Sequence, residues 1–187
     1  MNPFPASPIR SLFILGGARS GKSFYAQRLA ETSGLRPVMI ATAEAHDAEM
    51  AERIARHKSE RGPLWGLVET PLALCETLEQ NAHPASILLV DCATLWLSNL
   101  FFHEAEIDTA VANLTATILK LSGPLIIVSN EVGQGIVPDN ALARKFRDAQ
   151  GRLNQALAQV CEGVVLVSAG LPLTLKPAPQ PAPLWRF

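Results

Sequence analysis

The chain has 187 residues, of which 48% are hydrophobic and 18% charged, and its formal net charge is −1. These values fit one globular domain with a buried core, and they exclude a chain that is disordered by composition. The near-zero charge argues against a nucleic-acid partner recruited by overall charge. No apolar run reaches the roughly 20 residues of a membrane span, so we expect no membrane span and a cytoplasmic protein.

The two ends of the chain differ from the part between them. Residues 1–10 are rich in proline and small residues, and we interpret them as a flexible N-terminal extension. Residues 177–187 carry four prolines and can form neither a helix nor a central strand. The catalytic domain is therefore predicted to span residues 11–176.

Between these ends, short apolar runs alternate with helical patterns. Unbroken apolar runs are typical of strands that are covered on both faces. The runs are Leu12–Leu15, Val38–Ala41, Ile87–Val90, Leu125–Ser129 and Val164–Ser168, with shorter patterns near Leu67–Glu69 and Leu173–Lys176. Helices are predicted over Lys22–Thr32, Ala48–Arg61 and Asn140–Val160. The alternation predicts an α/β fold, a mostly parallel central sheet with helices on both faces.

A glycine-rich loop follows the first predicted strand and leads into the first predicted helix. Its sequence, Gly16-Gly17-Ala18-Arg19-Ser20-Gly21-Lys22-Ser23, matches the phosphate-binding pattern G-x-x-x-x-G-K-[ST]. Backbone N–H groups and the helix N-terminus bind phosphates in such loops. Lys22 would reach the β and γ phosphates, and Ser23 would supply an oxygen to Mg²⁺. A glycine-rich turn with an incidental lysine is the alternative, but the strand–loop–helix order argues against it.

A carboxylate, Asp91, directly follows the apolar run Ile87–Val90. At the end of a buried strand near a phosphate loop, such an acid commonly completes the metal site. The alternative is a helix N-cap for the segment after it. We favour the metal role.

These features predict nucleotide binding without choosing among kinase, ATPase, GTPase and nucleotidyltransferase. A regulatory GTPase is disfavoured because Asn130-Glu131-Val132-Gly133 replaces the guanine-reading Asn-Lys-x-Asp. The D-x-x-G pattern Asp148–Gly151 lies inside a predicted helix, where it cannot act as a switch. The cysteines, Cys75, Cys92 and Cys161, are widely spaced and are interpreted as buried reduced thiols.

His57 is an unusual residue of the predicted helix Ala48–Arg61. It shares a stripe with Met50 and Ile54, and Arg53 and Arg61 lie one turn to either side. A half-buried histidine at the edge of a core explains this pattern. A nucleophilic histidine explains the pattern as well, because flanking cations keep the imidazole deprotonated and can neutralise the negative charge of a triphosphate. The residues alone leave both readings open.

Several motifs together resemble one known family, the bifunctional adenosylcobinamide kinase / adenosylcobinamide-phosphate guanylyltransferases of cobalamin biosynthesis. The resemblance runs from about Leu12 to Lys176. Its motifs are Gly16–Ser23, Ile40-Ala41-Thr42-Ala43, Arg53-Ile54-Ala55-Arg56-His57-Lys58, Trp65 with Glu69, Val90-Asp91-Cys92 with Thr94–Leu100, Asn130–Pro138, and Phe146-Arg147-Asp148 with Gly151–Gln155.

The resemblance implies a RecA-like P-loop fold, a homotrimer and two reactions. In the first, ATP or GTP phosphorylates adenosylcobinamide. In the second, GTP donates GMP to adenosylcobinamide phosphate through a guanylylated histidine, which falls on His57. The guanine-nucleotide contacts fall on Gly16–Ser23, Ala41, Thr42, Ala43, Lys58, Ser59, Glu60, Arg61, Glu69 and Asp91. A monofunctional kinase or guanylyltransferase, or a nucleotide-dependent regulatory protein, remains the alternative.

Overall fold

The computed structural model of the chain describes residues 9–44 and 64–177. The predicted helix Ala48–Arg61 lies outside the described residues, and His57, Lys58, Ser59, Glu60 and Arg61 lie there with it. Residues 1–8 of the N-terminal extension and residues 178–187 of the tail also lie outside them. The three-part division of the chain therefore stays a prediction.

Within the described residues, seven strands form one sheet in the order β3-β2-β4-β5-β1-β6-β7. The strands are β1 (Ser11–Gly16), β2 (Arg36–Ala41), β3 (Gly66–Glu69), β4 (Ser86–Asp91), β5 (Leu125–Asn130), β6 (Gly163–Ser168) and β7 (Leu171–Lys176). Neighbouring strands are parallel, except that β7 runs antiparallel to β6. Every predicted strand is confirmed, with its ends moved by at most two residues.

Five helices accompany the sheet in the part of the chain that the structure describes. They are α1 (Lys22–Thr32), α2 (Leu74–Asn81), α3 (Ala93–Phe102), α4 (Ile107–Lys120) and α5 (Ala141–Val160). The bounds of α1 are those predicted. Helix α5 begins one residue later than predicted because Asn140 is its N-cap: Oδ1 accepts the N–H groups of Leu142 and Ala143 at 2.7 and 3.1 Å. In the described ranges, no helix is long and apolar enough to cross a membrane.

The two faces of the sheet bury separate apolar clusters, because successive side chains of a strand point to opposite faces. One face is covered by α1, and its cluster includes Ile14, Leu89, Ile126 and Val128. The other face is covered by α2 to α5, and its cluster includes Phe13, Val90, Ile127, Leu97 and Leu153. Helices on both faces are thus confirmed, and the double coverage explains the unbroken apolar runs.

The apolar residues along one side of α5 are buried only in part. Ala149, Leu153 and Leu157 are buried, whereas Leu142 is 62% exposed. Gln150 and Asn154 contact the last residues of β5. Leu142 lies about 12 Å of helix before Gln150, at 1.5 Å per residue. Leu142 therefore lies beyond the end of the sheet, whereas Phe146, one turn later, still packs against the core.

The three cysteines are free thiols. Cys92 and Cys161 are buried and Cys75 is half-buried. Burial raises the pKa of Cys92 to about 11 and that of Cys161 to about 12. The prediction of buried reduced thiols is confirmed for these two.

Candidate nucleotide-binding site

The predicted phosphate loop joins β1 to α1, and its geometry requires glycine at two positions. A Cβ on Gly16 would lie 2.5 Å from Ser20 Oγ and 2.5 Å from the carbonyl oxygen of Val167. Gly21, the N-cap of α1, has a φ of 93°, in the left-handed region that glycine adopts without steric cost. These two residues make the sharp turn that aims the N-terminus of α1 into the loop.

Lys22, the first residue of α1, is folded over this loop. Its Nζ donates to the carbonyl oxygen of Gly17 at 3.0 Å, and the residue is 8% exposed. The N–H groups of the first helical turn have no partners within their own helix. An ammonium group and a helix N-terminus thus face the same loop, which is the arrangement that binds polyphosphates.

Two further elements hold the loop in place. The N–H of Glu131, just after β5, donates to the carbonyl of Gly16 at 3.0 Å. The N–H of Gly170, between β6 and β7, donates to the carbonyl of Ser20 at 2.8 Å. The loop is therefore fixed at both of its ends by backbone hydrogen bonds.

Asp91 is the last residue of β4 and is half-buried. It lies on the α1 face of the sheet, because Ile87 and Leu89 of the same strand point to that face. Helix α3 begins at Ala93 and its N-cap is Cys92, so Asp91 is not the cap of that helix. Two strand spacings, about 10 Å, separate β4 from β1 in the sheet.

The remaining predicted contacts extend along the same edge of the sheet. Ala41 ends β2 and pairs with Asp91 on one side and with Glu69, the last residue of β3, on the other. Glu69 lies four strand spacings, about 19 Å, from β1. Thus the structure brings the phosphate loop, Asp91, Ala41–Ala43 and Glu69 to one edge, in that order, whereas His57 and Lys58–Arg61 lie outside the described residues.

A cluster of buried polar side chains at the end of β5 was not predicted. Ser129 Oγ donates to Asn154 Oδ1, and Gln150 Nε2 donates to both of these oxygens, each at 2.9 Å. Thr94 Oγ1 lies 3.2 Å from Ser129 Oγ. The four residues belong to three elements, so no local pattern reveals the cluster. The sequence feature that points to this region is a polar residue, Asn130, directly after a buried apolar run.

Comparison with known proteins places this geometry in context. Residues 12–175 match the family described as cobinamide kinase / cobinamide phosphate guanyltransferase. The chain is 48% identical over 168 residues to the bifunctional adenosylcobalamin biosynthesis protein CobP of Pseudomonas aeruginosa, covering 89% of this chain and 97% of that protein. It is 36% identical over 180 residues to the bifunctional adenosylcobalamin biosynthesis protein CobU of Escherichia coli, covering 88% of this chain and 99% of that protein.

A solved structure supports the fold alone. The chain resembles an ATPase from the type III secretion system of pathogenic bacteria with a TM-score of 0.53 and 12% identity. The likeness covers 88% of this chain and 56% of that chain. Together with the strand–loop–helix geometry, it confirms the expected P-loop nucleotide-binding fold.

Proposed function

The chain belongs to the cobinamide kinase / cobinamide phosphate guanyltransferase family, and from this premise we propose that it performs both reactions in turn on adenosylcobinamide. The family match over residues 12–175 carries this proposal. The folded phosphate loop supports it, because both reactions break a bond in a nucleoside triphosphate and both need the polyphosphate to be held.

The first reaction transfers the terminal phosphate of ATP or GTP. The hydroxyl oxygen of the aminopropanol arm attacks the γ phosphorus, the bond to the β-phosphate oxygen breaks, and the hydroxyl proton is released. Lys22 and the N–H groups of the phosphate loop neutralise the charge on the phosphates. The 3.0 Å contact of Lys22 Nζ with Gly17 places that ammonium group over the loop.

The second reaction transfers GMP through His57. An imidazole nitrogen attacks the α phosphorus of GTP, and pyrophosphate leaves. A phosphate oxygen of adenosylcobinamide phosphate then attacks the same phosphorus and displaces the imidazole, which gives adenosylcobinamide-GDP. The role of His57 rests on the resemblance. In this step the phosphate loop would hold the phosphates that leave.

A magnesium ion is proposed at Ser23 and Asp91. Both residues offer oxygen ligands, and they lie on the α1 side of the same sheet edge. The described residues contain no group of three or more acidic, histidine or cysteine side chains suited to a metal. Mg²⁺ commonly takes one or two protein oxygens, such as this hydroxyl and this carboxylate, and completes its shell with phosphates and water. The ion would neutralise charge on the phosphates.

The guanine nucleotide is proposed to lie along the carboxyl edge of the sheet. Its phosphates would contact Gly16–Ser23, and its nucleoside would reach Ala41–Ala43, Lys58–Arg61 and Glu69. The linear order of the described members of this set along the edge supports that placement. We also propose that the protein is a cytoplasmic homotrimer. Light scattering of the purified protein tests the oligomeric state directly.

One experiment tests the covalent step. The protein is incubated with GTP labelled at the α phosphorus and then denatured in acid or in base. We expect a protein-bound label that is lost in acid, retained in base, and missing from a His57→Ala variant. A wild-type protein that never carries the label contradicts the covalent mechanism.

A second experiment tests the kinase step. Transfer of label from the γ phosphorus to adenosylcobinamide should occur in wild type and fall sharply in Lys22→Ala. Label transfer in only one of the two experiments would identify a monofunctional enzyme. Transfer in neither, with nucleotide binding intact, would favour a nucleotide-dependent regulatory protein.

A further inference from the structure

We propose that the side-chain amide of Asn130 binds the terminal phosphate of the nucleoside triphosphate, held there by the buried cluster of Thr94, Ser129, Gln150 and Asn154. The inference rests on the proposed nucleotide function of the phosphate loop. It adds a ligand contact that neither the loop motif nor the expected guanine-nucleotide contacts contain.

The sheet register places Asn130 between the phosphate loop and Asp91. Strand β5 lies between β1 and β4. Asn130 pairs with Gly16, the first residue of the loop, and Asp91 pairs with Val128, two residues earlier on β5. Along the carboxyl ends of the strands, Asn130 therefore lies between the phosphate loop and Asp91, the expected metal ligand.

Alternation along β5 gives the side of the sheet on which this side chain lies. Ile126 and Val128 pack in the cluster on the α1 face. Asn130, two residues beyond Val128, points to the same face. Lys22 begins the helix that covers this face. Asn130 and Asp91 thus lie at the carboxyl ends of neighbouring strands, on the face of the sheet that is covered by the helix that begins with Lys22.

Side chains from two helices fix the backbone of Asn130. Its N–H donates to Thr94 Oγ1 of α3 at 2.8 Å, and its carbonyl accepts from Asn154 Nδ2 of α5 at 3.1 Å. Ser129 and Gln150 bond to these partners in turn. Buried polar groups are costly unless they are satisfied. Two members of the cluster thus bind the backbone of Asn130, and the other two hydrogen-bond to those members, which fixes the position of this residue.

The side-chain amide of Asn130, in contrast to its backbone, has no hydrogen-bond partner among the described residues. It is half-buried, and across residues 9–44 and 64–177 no hydrogen bond to its amide is found. An amide N–H₂ donates to phosphate oxygens without adding charge. It can bind a phosphate next to Asp91, where a carboxylate would repel the ligand.

Nucleotide binding with two probes tests the proposal. The probes are a GTP analogue with an imido bridge between its β and γ phosphates, and GDP, both in the same magnesium buffer. For Asn130→Ala we expect the affinity for the triphosphate analogue to fall on the order of tenfold to a hundredfold, the range for a hydrogen bond to a charged group. The affinity for GDP should change by less than about twofold, since that nucleotide lacks the contacted group.

Two further variants make the result specific. Asn130→Asp should weaken the triphosphate analogue more than Asn130→Ala does, because the new carboxylate repels the phosphate. Asn81→Ala is the matched control: it removes an amide that donates within α2, to the carbonyl of Thr77 at 2.8 Å. It should leave the affinities for both nucleotides unchanged.

The positioning role of the cluster has its own readout. Asn154→Ala removes the bond to the carbonyl of Asn130 and should reduce the preference for triphosphate over diphosphate without abolishing GDP binding. Thermal unfolding identifies any variant that no longer folds, and Asn130→Ala should fold because the cluster binds only backbone groups of that residue.

Three outcomes would overturn the inference. An unchanged preference for the triphosphate in Asn130→Ala would show that the amide does not contact the terminal phosphate. Equal losses of affinity for both nucleotides would show that Asn130 has only a structural role. In both cases the proposed function stands. A wild-type protein that binds neither nucleotide would overturn the proposed function and this inference together.

Discussion

The hydroxyl of Thr42 is bonded twice to the backbone of Cys92, donating to its carbonyl at 2.7 Å and accepting from its N–H at 3.0 Å. Asn99 continues this connection, because its Nδ2 donates to the carbonyls of Thr42 and Pro71 at 2.7 and 3.0 Å. The turns after β2, β3 and β4 are thereby joined by buried side chains. Buried hydrogen bonds thus connect the part of the expected nucleotide-binding edge that β2, β3 and β4 form.

Replacing Thr42 with valine should test this connection. Valine has nearly the same shape but no hydroxyl, so the N–H of Cys92 would stay buried without that partner, whereas its carbonyl would still accept the N–H of Trp96 at 3.2 Å. We expect the free energy of unfolding to fall by about 1–3 kcal/mol, the cost of one unsatisfied buried group. Urea unfolding measures the change. Thr42→Ser keeps the hydroxyl and is the control; equal stabilities of the two variants would mean that these bonds contribute little.

The two glycines that open the phosphate loop should respond differently to alanine. A Cβ on Gly16 would meet the carbonyl of Val167 at 2.5 Å, whereas a Cβ on Gly17 would have no atom within 4 Å. Gly16→Ala must therefore shift the loop, and we expect a loss of about 1–3 kcal/mol in unfolding free energy, as for overpacking, with weaker GTP binding. Gly17→Ala should unfold at the wild-type denaturant concentration. A Gly16→Ala variant as stable as Gly17→Ala would contradict the packing argument.

The strands could be predicted because each central strand is buried on both faces. That burial demands an unbroken apolar run, and a run such as Leu125–Ser129 is visible in the sequence without any knowledge of its neighbours. The phosphate loop was equally visible, since its pattern is contiguous. Helices α2 to α4 were not predicted, because each covers only part of one sheet face and its apolar residues form a less continuous pattern than those of a central strand.

The position of Asn130 could not be predicted, because it depends on strand order. The sequence shows Asn130 after one apolar run and Asp91 after another. Only the order β4-β5-β1 places the first between the second and the phosphate loop. Likewise, Thr94 and Asn154 both bind the backbone of Asn130 although they lie on different helices. Contacts of this kind depend on tertiary packing, which leaves no local signal.

Lys176 ties the antiparallel edge strand β7 to the end of α5. Its Nζ donates to the carbonyls of Ala158, Gln159 and Cys161 at 3.2, 2.9 and 2.6 Å. Lys176→Met keeps the aliphatic stem and removes these bonds, so we expect a loss of about 1–3 kcal/mol, typical of hydrogen bonds to a charged group.

Hydrogen exchange should show that loss first in β7, where amide protection would fall before that of the central strands. Lys120→Met, at the exposed end of α4, removes only a helix-terminal charge and should cost a few tenths of a kcal/mol. Unchanged protection of β7 in Lys176→Met would show that strand pairing with β6 alone holds this edge.

Cys92 should make the stability of the protein fall in alkaline solution. Burial, with a smaller contribution from the neighbouring Asp91 carboxylate, raises the pKa of this thiol from 9.0 to about 11 in the folded state. Between pH 9 and 11 the unfolded chain loses the thiol proton while the folded chain keeps it, so the free energy of unfolding decreases as pH rises. The decrease is about 1.4 kcal/mol per pH unit for this one group, and below pH 9 the contribution is constant.

Comparison with Cys92→Ala isolates this effect, because Tyr25, the lysines and the other two cysteines titrate alike in both proteins. Urea unfolding of the pair at pH 8, 9, 10 and 11 gives a stability difference at each pH. We expect the difference to be constant from pH 8 to 9 and then to move against the wild type by about 2–3 kcal/mol by pH 11, two pH units above the unfolded pKa. A constant difference across the whole range would mean that the folded protein exposes the thiolate of Cys92 to water.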